Sequence, residues 1–221
     1  MNGITPVRVL DAYFYRGWAA APAPAPVLLV LGGLPGVGKS TVARVLLARW
    51  QAVYLRIDTI EQALRDCGAL ANGAVLNGAA GDVGAAGYMV AYALAREQLA
   101  LGLPVLADCV NPLPVTRQAW RSVARAVNAP CLAVEVVCTD AAEHRRRVET
   151  RVGDVLGLAL PTWDSVLGHD YQCWTQRDGA RLVVDTASLS AQAAAAQILS
   201  ALPALPALLP PGSPRPAAPP R

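Results

Sequence analysis

The chain is short of the features that mark membrane-embedded, secreted or metal-clustered proteins. No stretch of about 18 apolar residues is free of proline or glycine, which excludes a conventional membrane-spanning helix. Hydrophobic residues make up 54% of the chain, but much of that is alanine, and there is a single phenylalanine. Cysteine is sparse and unpatterned: Cys67, Cys109, Cys131, Cys138 and Cys173 are odd in number and form no C-x-x-C pair. That argues against a disulfide framework and for buried, reduced thiols in a cytoplasmic protein. His144 and His169 have no ligand-like neighbours in sequence, which speaks against zinc. The net charge is only +3, and several arginines sit in one segment, so a broad nucleic-acid surface is not expected. Residues Met1 to Trp18 carry Arg8, Asp11 and Arg16 among four aromatics. They lack the uninterrupted apolar core of a signal peptide.

What is present is organised. At 221 residues the chain fits one domain with extensions. Residues 1–26 read as a partly disordered extension in which Ala19 to Pro26 alternates alanine and proline. Residues 203–221 read as a proline-rich disordered tail. The folded part is expected over 27–202. Apolar runs at Val27–Leu31, Val53–Ile57, Val105–Cys109, Cys131–Cys138 and Arg181–Val184 predict strands. Helical patterns fall at Thr41–Trp50, Asp58–Cys67, Tyr88–Leu101, Val115–Val127, Asp140–Arg151, Thr162–Trp174 and Ser188–Ala201. Asp58 with Glu61, and Asp140 with Glu143, read as capping boxes. Gly68 to Gly87 is rich in glycine and asparagine and reads as a mobile loop. Strands alternating with helices predict an α/β fold with a parallel sheet covered on both faces, a three-layer sandwich.

The most specific feature is Gly33-Leu34-Pro35-Gly36-Val37-Gly38-Lys39-Ser40. It matches G-x-x-x-x-G-K-[ST] at every fixed position, with a predicted strand before it and a helix, from Thr41, after it. Backbone N–H groups of such a loop cradle phosphate oxygens, and the helix adds its positive dipole end. Lys39 would reach the outer phosphates and the Ser40 hydroxyl would meet Mg²⁺. The ligand expected is a nucleoside triphosphate, ATP.

Ligands of open α/β sheets sit at the carboxyl ends of the strands, so the residues found there carry the next inferences. Asp58 follows the second strand and is the candidate base for phosphoryl transfer; an N-cap role is compatible with it. Asp108 closes the third strand, where an acidic residue can hold Mg²⁺, although many strands end in aspartate at a turn. Asn111 and Arg117 could contact an acceptor. Arg145, Arg146, Arg147 and Arg151 share one helix. Glu143 can pair with Arg147 and Arg145 with Glu149, while Arg151 has no acidic residue four positions before it. Arg147 and Arg151 could close as a lid over a transferring phosphoryl group, or the helix could simply be a solvated face. Asp185-Thr186 ends the last strand and could border the adenine. Tyr171 and Trp174 read as packing groups.

Together these features resemble the small P-loop kinases grouped with AAA-family ATPases and predicted kinases, relatives of gluconate kinases, chloramphenicol phosphotransferase, zeta-type toxins and phage polynucleotide kinase. Gly33 to Thr41 is the most specific part. Arg56-Ile57-Asp58 looks like the segment bearing the catalytic aspartate, Arg145 to Arg151 like the lid, and Leu182 to Thr186 like the last strand and adenine-side loop. The resemblance implies a P-loop NTPase sheet of five parallel strands in order 2-3-1-4-5. No arginine-finger or sensor element matches a ring-forming mechanical ATPase.

The expectation is therefore an ATP- and Mg²⁺-dependent kinase acting on a hydroxyl of a small molecule. Lys39, Asp58, Arg147 and Arg151 would be catalytic, with Ser40 and Asp108 at the metal. The acceptor-facing Gly68 to Gly87 contains no arginine or lysine, which favours a neutral acceptor, although Arg56, Arg65 and Arg117 could face the same space. Two rivals stand beside this reading: a non-kinase ATP-binding switch that meets a protein partner through the tails, and a polynucleotide 5′-hydroxyl kinase.

Overall fold

The computed structural model describes residues 26–67 and 83–202. Expectations for the N-terminal extension, for most of the Gly68–Gly87 loop and for the C-terminal tail lie outside the described residues. Five parallel strands form the sheet: β1 (Leu28–Gly32), β2 (Val53–Arg56), β3 (Val105–Asp108), β4 (Cys131–Val137) and β5 (Leu182–Asp185). Their order is β2-β3-β1-β4-β5, the order the resemblance implied. The central strand shows why both faces must be covered. Its five residues are all buried, and successive side chains alternate between faces.

Leu29 and Leu31 pack with Val134, Val136 and Val184 against α1 (Lys39–Leu47) and the last helix, α7 (Ala191–Ala201). Leu28 and Val30 pack on the opposite face with Leu55, Val105 and Ala107 against α3 (Ala86–Ala100) and α4 (Pro114–Ala126). Helices α2 (Ile57–Asp66), α5 (Ala141–Thr150) and α6 (Trp163–Leu167) lie at the strand ends that carry the site. Among the described residues no helix is long and apolar enough to cross a membrane.

Three local expectations are corrected. Strand β2 runs directly into α2, so Asp58 lies inside the first helical turn and Arg56 is the N-cap residue, with no side-chain capping bond. The helix starts at Ile57, which is buried, two residues earlier than a cap at Asp58 would allow. Asp140 does cap α5, accepting from the Ala142 and Glu143 amides at 3.0 Å each, but Glu143 turns to arginines instead of closing a box. The long helix expected over Thr162–Trp174 stops at Leu167, and residues 169–175 run as coil into a short 3₁₀ turn at Gln176–Asp178. The expectation of buried thiols is corrected as well: of the five cysteines only Cys109 is fully buried, Cys138 is half-buried, and Cys67, Cys131 and Cys173 are exposed.

That coil is held by Arg117. The residue is 2% exposed, its guanidinium stacks 4.4 Å from the centre of the Trp174 ring, and it pairs with the buried Asp178 at 3.4 Å. It also donates to the carbonyls of Asn111, Pro112, Gln172 and Cys173. Arg117 is thus a structural clamp and not an acceptor contact, and Tyr171 and Trp174 are packing groups, as expected. A buried charge with this many partners is costly to remove, because its counter-ion is left behind. The expected outcome for Arg117→Met is a loss of about 3–5 kcal/mol of unfolding free energy, read as a lowered urea midpoint. Adding Asp178→Asn should recover part of that loss. A midpoint within error of wild type would contradict the clamp.

Candidate functional site

The loop between β1 and α1 is shaped by contacts that leave no room for a side chain at Gly33 or Gly36. Gly33 has φ +141°, and a Cβ there would lie 2.2 Å from the Val136 carbonyl oxygen. Gly36 has φ +86°, and a Cβ would meet Val148 at 2.4 Å. Three carbonyls of the loop are engaged from outside it or across it. Lys39 Nζ donates to the Leu34 oxygen at 2.9 Å, His144 Nε2 lies 2.8 Å from that of Pro35, and Thr186 Oγ1 donates to that of Val37 at 2.8 Å. Gly33 N–H donates to the Val110 carbonyl at 2.9 Å and Val37 N–H to that of Leu34 at 3.5 Å, so it is the amides nearer the start of α1 that can meet an anion. Burial lowers the Lys39 ammonium from its ordinary value, while the carboxylates of Asp108 and Asp58 pull it back up.

At the end of β3, Asp108 is 3% exposed. Its Oδ2 accepts from Ser40 Oγ at 2.6 Å and from the Tyr54 hydroxyl at 2.8 Å. Burial first, and then the Asp108 charge, push the Tyr54 phenol far above its ordinary value, so it stays a donor. A serine hydroxyl beside a buried carboxylate offers hard oxygen donors. Among the described residues no group of three or more histidine, cysteine or acidic side chains could cage a metal. Sparse oxygen donors fit Mg²⁺, which keeps water and takes phosphate oxygens rather than an all-protein cage.

A cavity of about 680 Å³ opens over this edge of the sheet. Pro35, Gly36, Gly38, Lys39, Ser40, Thr41, Asp58, Asp108, Arg147 and Arg151 all line it. Gly33, Leu34 and Val37 build the loop from behind and do not line the cavity. The far wall is the segment 151–161 that follows α5.

Arg147 is fixed in place. Its guanidinium donates to Thr186 Oγ1 at 2.9 Å and the Thr186 carbonyl at 3.0 Å, while Nε bonds Glu143 at 2.7 Å. Glu143 also takes Arg146, and these hydrogen bonds draw its carboxyl down to about 2. The pairing of Arg145 with Glu149 forms as the spacing indicated. Arg151, at the end of α5, has a buried Nε without a hydrogen-bond partner. Burial lowers its pKa, with the nearby Arg56 acting in the same direction and Asp58 opposing.

The side chain of Asp185, another expected nucleotide contact, is engaged away from the cavity. Its carboxylate accepts from the Thr139 amide at 3.1 Å, the Thr139 hydroxyl at 2.5 Å and the Ala187 amide at 2.9 Å. These bonds, the Thr139 hydroxyl foremost, hold it below the usual carboxylate range. It ties two turns together, and its neighbour Thr186 faces the cavity with Leu189 and Ser190. Sequence reasoning named Thr186 only as part of the adenine-side loop, and it missed Tyr54, Arg44 and Asp154 as site residues. Asp154 accepts from both Arg44 and Arg56, the latter at 2.8 Å. None of these four belongs to a spaced motif; each is brought in by strand register or by a distant loop.

A family model described as an AAA domain matches residues 28–157. A comparison with curated proteins finds no match. Among solved structures, Kti12 from Chaetomium thermophilum, in complex with ADP-AlF3, is 20% identical with a TM-score of 0.58, covering 80% of this chain and 99% of that one. A sugar kinase from Janibacter is 13% identical with a TM-score of 0.56, over 79% and 93% of the two chains. The APS kinase of Mycobacterium tuberculosis, bound to AMPPNP and APS, is 19% identical with a TM-score of 0.52, over 80% and 97%. At these identities the likeness is one of fold. Since the family match spans more than half of its length, this chain belongs to the AAA-domain family of P-loop proteins, and its fold is similar to that of the small kinases above.

Proposed function

We propose that the protein is an ATP- and Mg²⁺-dependent phosphotransferase that moves the terminal phosphoryl group to a hydroxyl of a small molecule. The observation that carries this reading is the convergence of Lys39, the Ser40–Asp108 pair and Asp58 on one cavity. In the proposed reaction the acceptor oxygen bonds to the terminal phosphorus, the bond to the ADP oxygen breaks, and the hydroxyl proton passes to Asp58. Mg²⁺, when bound, would neutralise phosphate charge. Ser40 and Asp108 would hold it, and Tyr54 would orient Asp108. The loop amides and Lys39 would bind the phosphates. Arg147, already fixed by Thr186 and Glu143, would present its charge without reorganising, which is where electrostatic stabilisation is most effective. Arg151 would add its charge beside Asp58. The likeness to an APS kinase bound to AMPPNP, and to Kti12 bound to ADP-AlF3, supports the reading at the level of fold.

Lys39 is the chain's one lysine, which makes nucleotide binding easy to test. An acyl-phosphate derivative of ATP should acylate Lys39, and Mg-ATP should protect it, as read by peptide mass spectrometry. Towards a neutral acylating reagent, the lowered pKa means that the reactive neutral amine appears at lower pH than for free lysine. The rise of rate with pH should shift downward accordingly. Labelling that Mg-ATP does not suppress would count against a nucleotide at this loop.

The transfer itself is tested with Asp58→Asn. Acceptor-dependent ADP release should fall by about 100-fold or more, the range for loss of a general base, while the affinity for Mg-ATP stays near wild type. Equal loss of binding and turnover would instead assign Asp58 a structural role in the first turn of α2.

A further inference from the structure

The cationic side chains of the cavity divide into two groups. Lys39, Arg146 and Arg147 belong to the phosphate loop and α5. Arg44, Arg56 and Arg151 gather at the Asp58 end, where Arg56 lies 3.4 Å from Asp58 and 2.8 Å from Asp154. We propose that Arg44 and Arg56 form an anion subsite for the acceptor, and that Asp154 occupies it here as a displaceable stand-in. The acceptor would then carry a carboxylate or phosphate-like group beside its hydroxyl. This rests on the phosphotransferase reading for the word acceptor, but the anion subsite stands on its own geometry.

Four observations support it. Both guanidinium groups converge on the same oxygen, Asp154 Oδ2, so their spacing already suits one bound carboxylate. Asp154 comes from the 151–161 segment, which is loosely packed: Val152 is 90% and Leu156 95% exposed. The pair it makes with Arg44 is open, with the Arg44 side chain 57% and Asp154 41% exposed, and such pairs hold weakly; Arg56 is the more buried side of the subsite. Finally, Arg56 and Arg151 each keep a buried Nε–H with no acceptor. A ligand anion that satisfied those donors would make charge-assisted bonds that Asp154 does not. Removing Asp154 takes from Arg44 the carboxylate it pairs with and leaves Arg56 its 3.4 Å contact with Asp58, a vacancy that an anion can fill. On this proposal the Asp58 end supplies the cation that Gly68 to Gly87 lacks, and the acceptor is anionic rather than the neutral molecule expected from that segment.

Sulfate is the probe, titrated calorimetrically with the phosphate loop saturated by an imido analogue of Mg-ATP and ionic strength held with chloride. Asp154→Asn should bind sulfate at least tenfold more tightly than wild type, and Asp154→Asn combined with Arg56→Met should lose that gain. In the unaltered protein, sulfate should speed amide hydrogen exchange across residues 151–161 as Asp154 is displaced, a readout that does not depend on any variant folding. Equal sulfate affinity in wild type and Asp154→Asn, tight binding that survives loss of Arg56, or exchange unchanged by sulfate would each overturn the proposal. Because no turnover is involved, the two readings fail separately. Sulfate bound at Arg56 without phosphoryl transfer would sink the kinase assignment alone. Transfer to neutral alcohols with no sulfate subsite would sink this inference alone.

Discussion

The site is organised around one buried carboxylate. Asp108 is almost inaccessible to solvent, and a charge in that position is tolerated only if its oxygens are bonded. The bonds come from Ser40 at the start of α1 and from Tyr54 on β2. Asp108 itself ends β3, which lies between β2 and β1. A single hydrogen-bonded knot therefore fixes the phosphate loop relative to the strand that delivers Asp58. The register of β2 on β3, which sets Arg56 opposite Asp108 and Tyr54 opposite Leu106, is what lets the tyrosine reach.

Around that knot the charges are arranged in order of increasing freedom. Lys39 is folded back on the Leu34 carbonyl, and Arg147 is held by Thr186. Arg151 and Arg56 are partly unsatisfied, and Arg44 is largely in solvent. Fixed cations suit a phosphate chain whose position does not vary. Incompletely bonded ones suit a partner that comes and goes. The gradient runs from the phosphate loop toward the 151–161 segment, the part of the cavity wall least supported by packing.

Much of the fold could be read from the chain because its signals are local. The apolar strands, the glycine spacing of Gly33 to Gly38 and the aspartates at strand ends all follow from short-range pattern plus the rule that ligands collect at carboxyl ends of parallel strands. The misreadings share a cause. Arg117 resembled a ligand contact because nothing nearby in sequence shows that Gln172, Cys173 and Asp178 fold back onto it. Asp154 lies in a coil with no motif, and its partner Arg56 is 98 residues away. Asp185 was placed at the right strand end, but its side chain bonds Thr139 and leaves the cavity to Thr186. Rotation of one residue about a strand end decides which side chain faces the site, and periodicity does not resolve it.

The central claim is transfer rather than hydrolysis, and the fate of the terminal phosphate tests it most directly. The protein would be incubated with terminally radiolabelled Mg-ATP and a pool of hydroxylated small molecules, both acidic and neutral, and the labelled products separated. The account predicts that label appears in an organic phosphate monoester, and that this product is missing when the pool is omitted. Label recovered only as inorganic phosphate, at a rate the pool does not change, would contradict it.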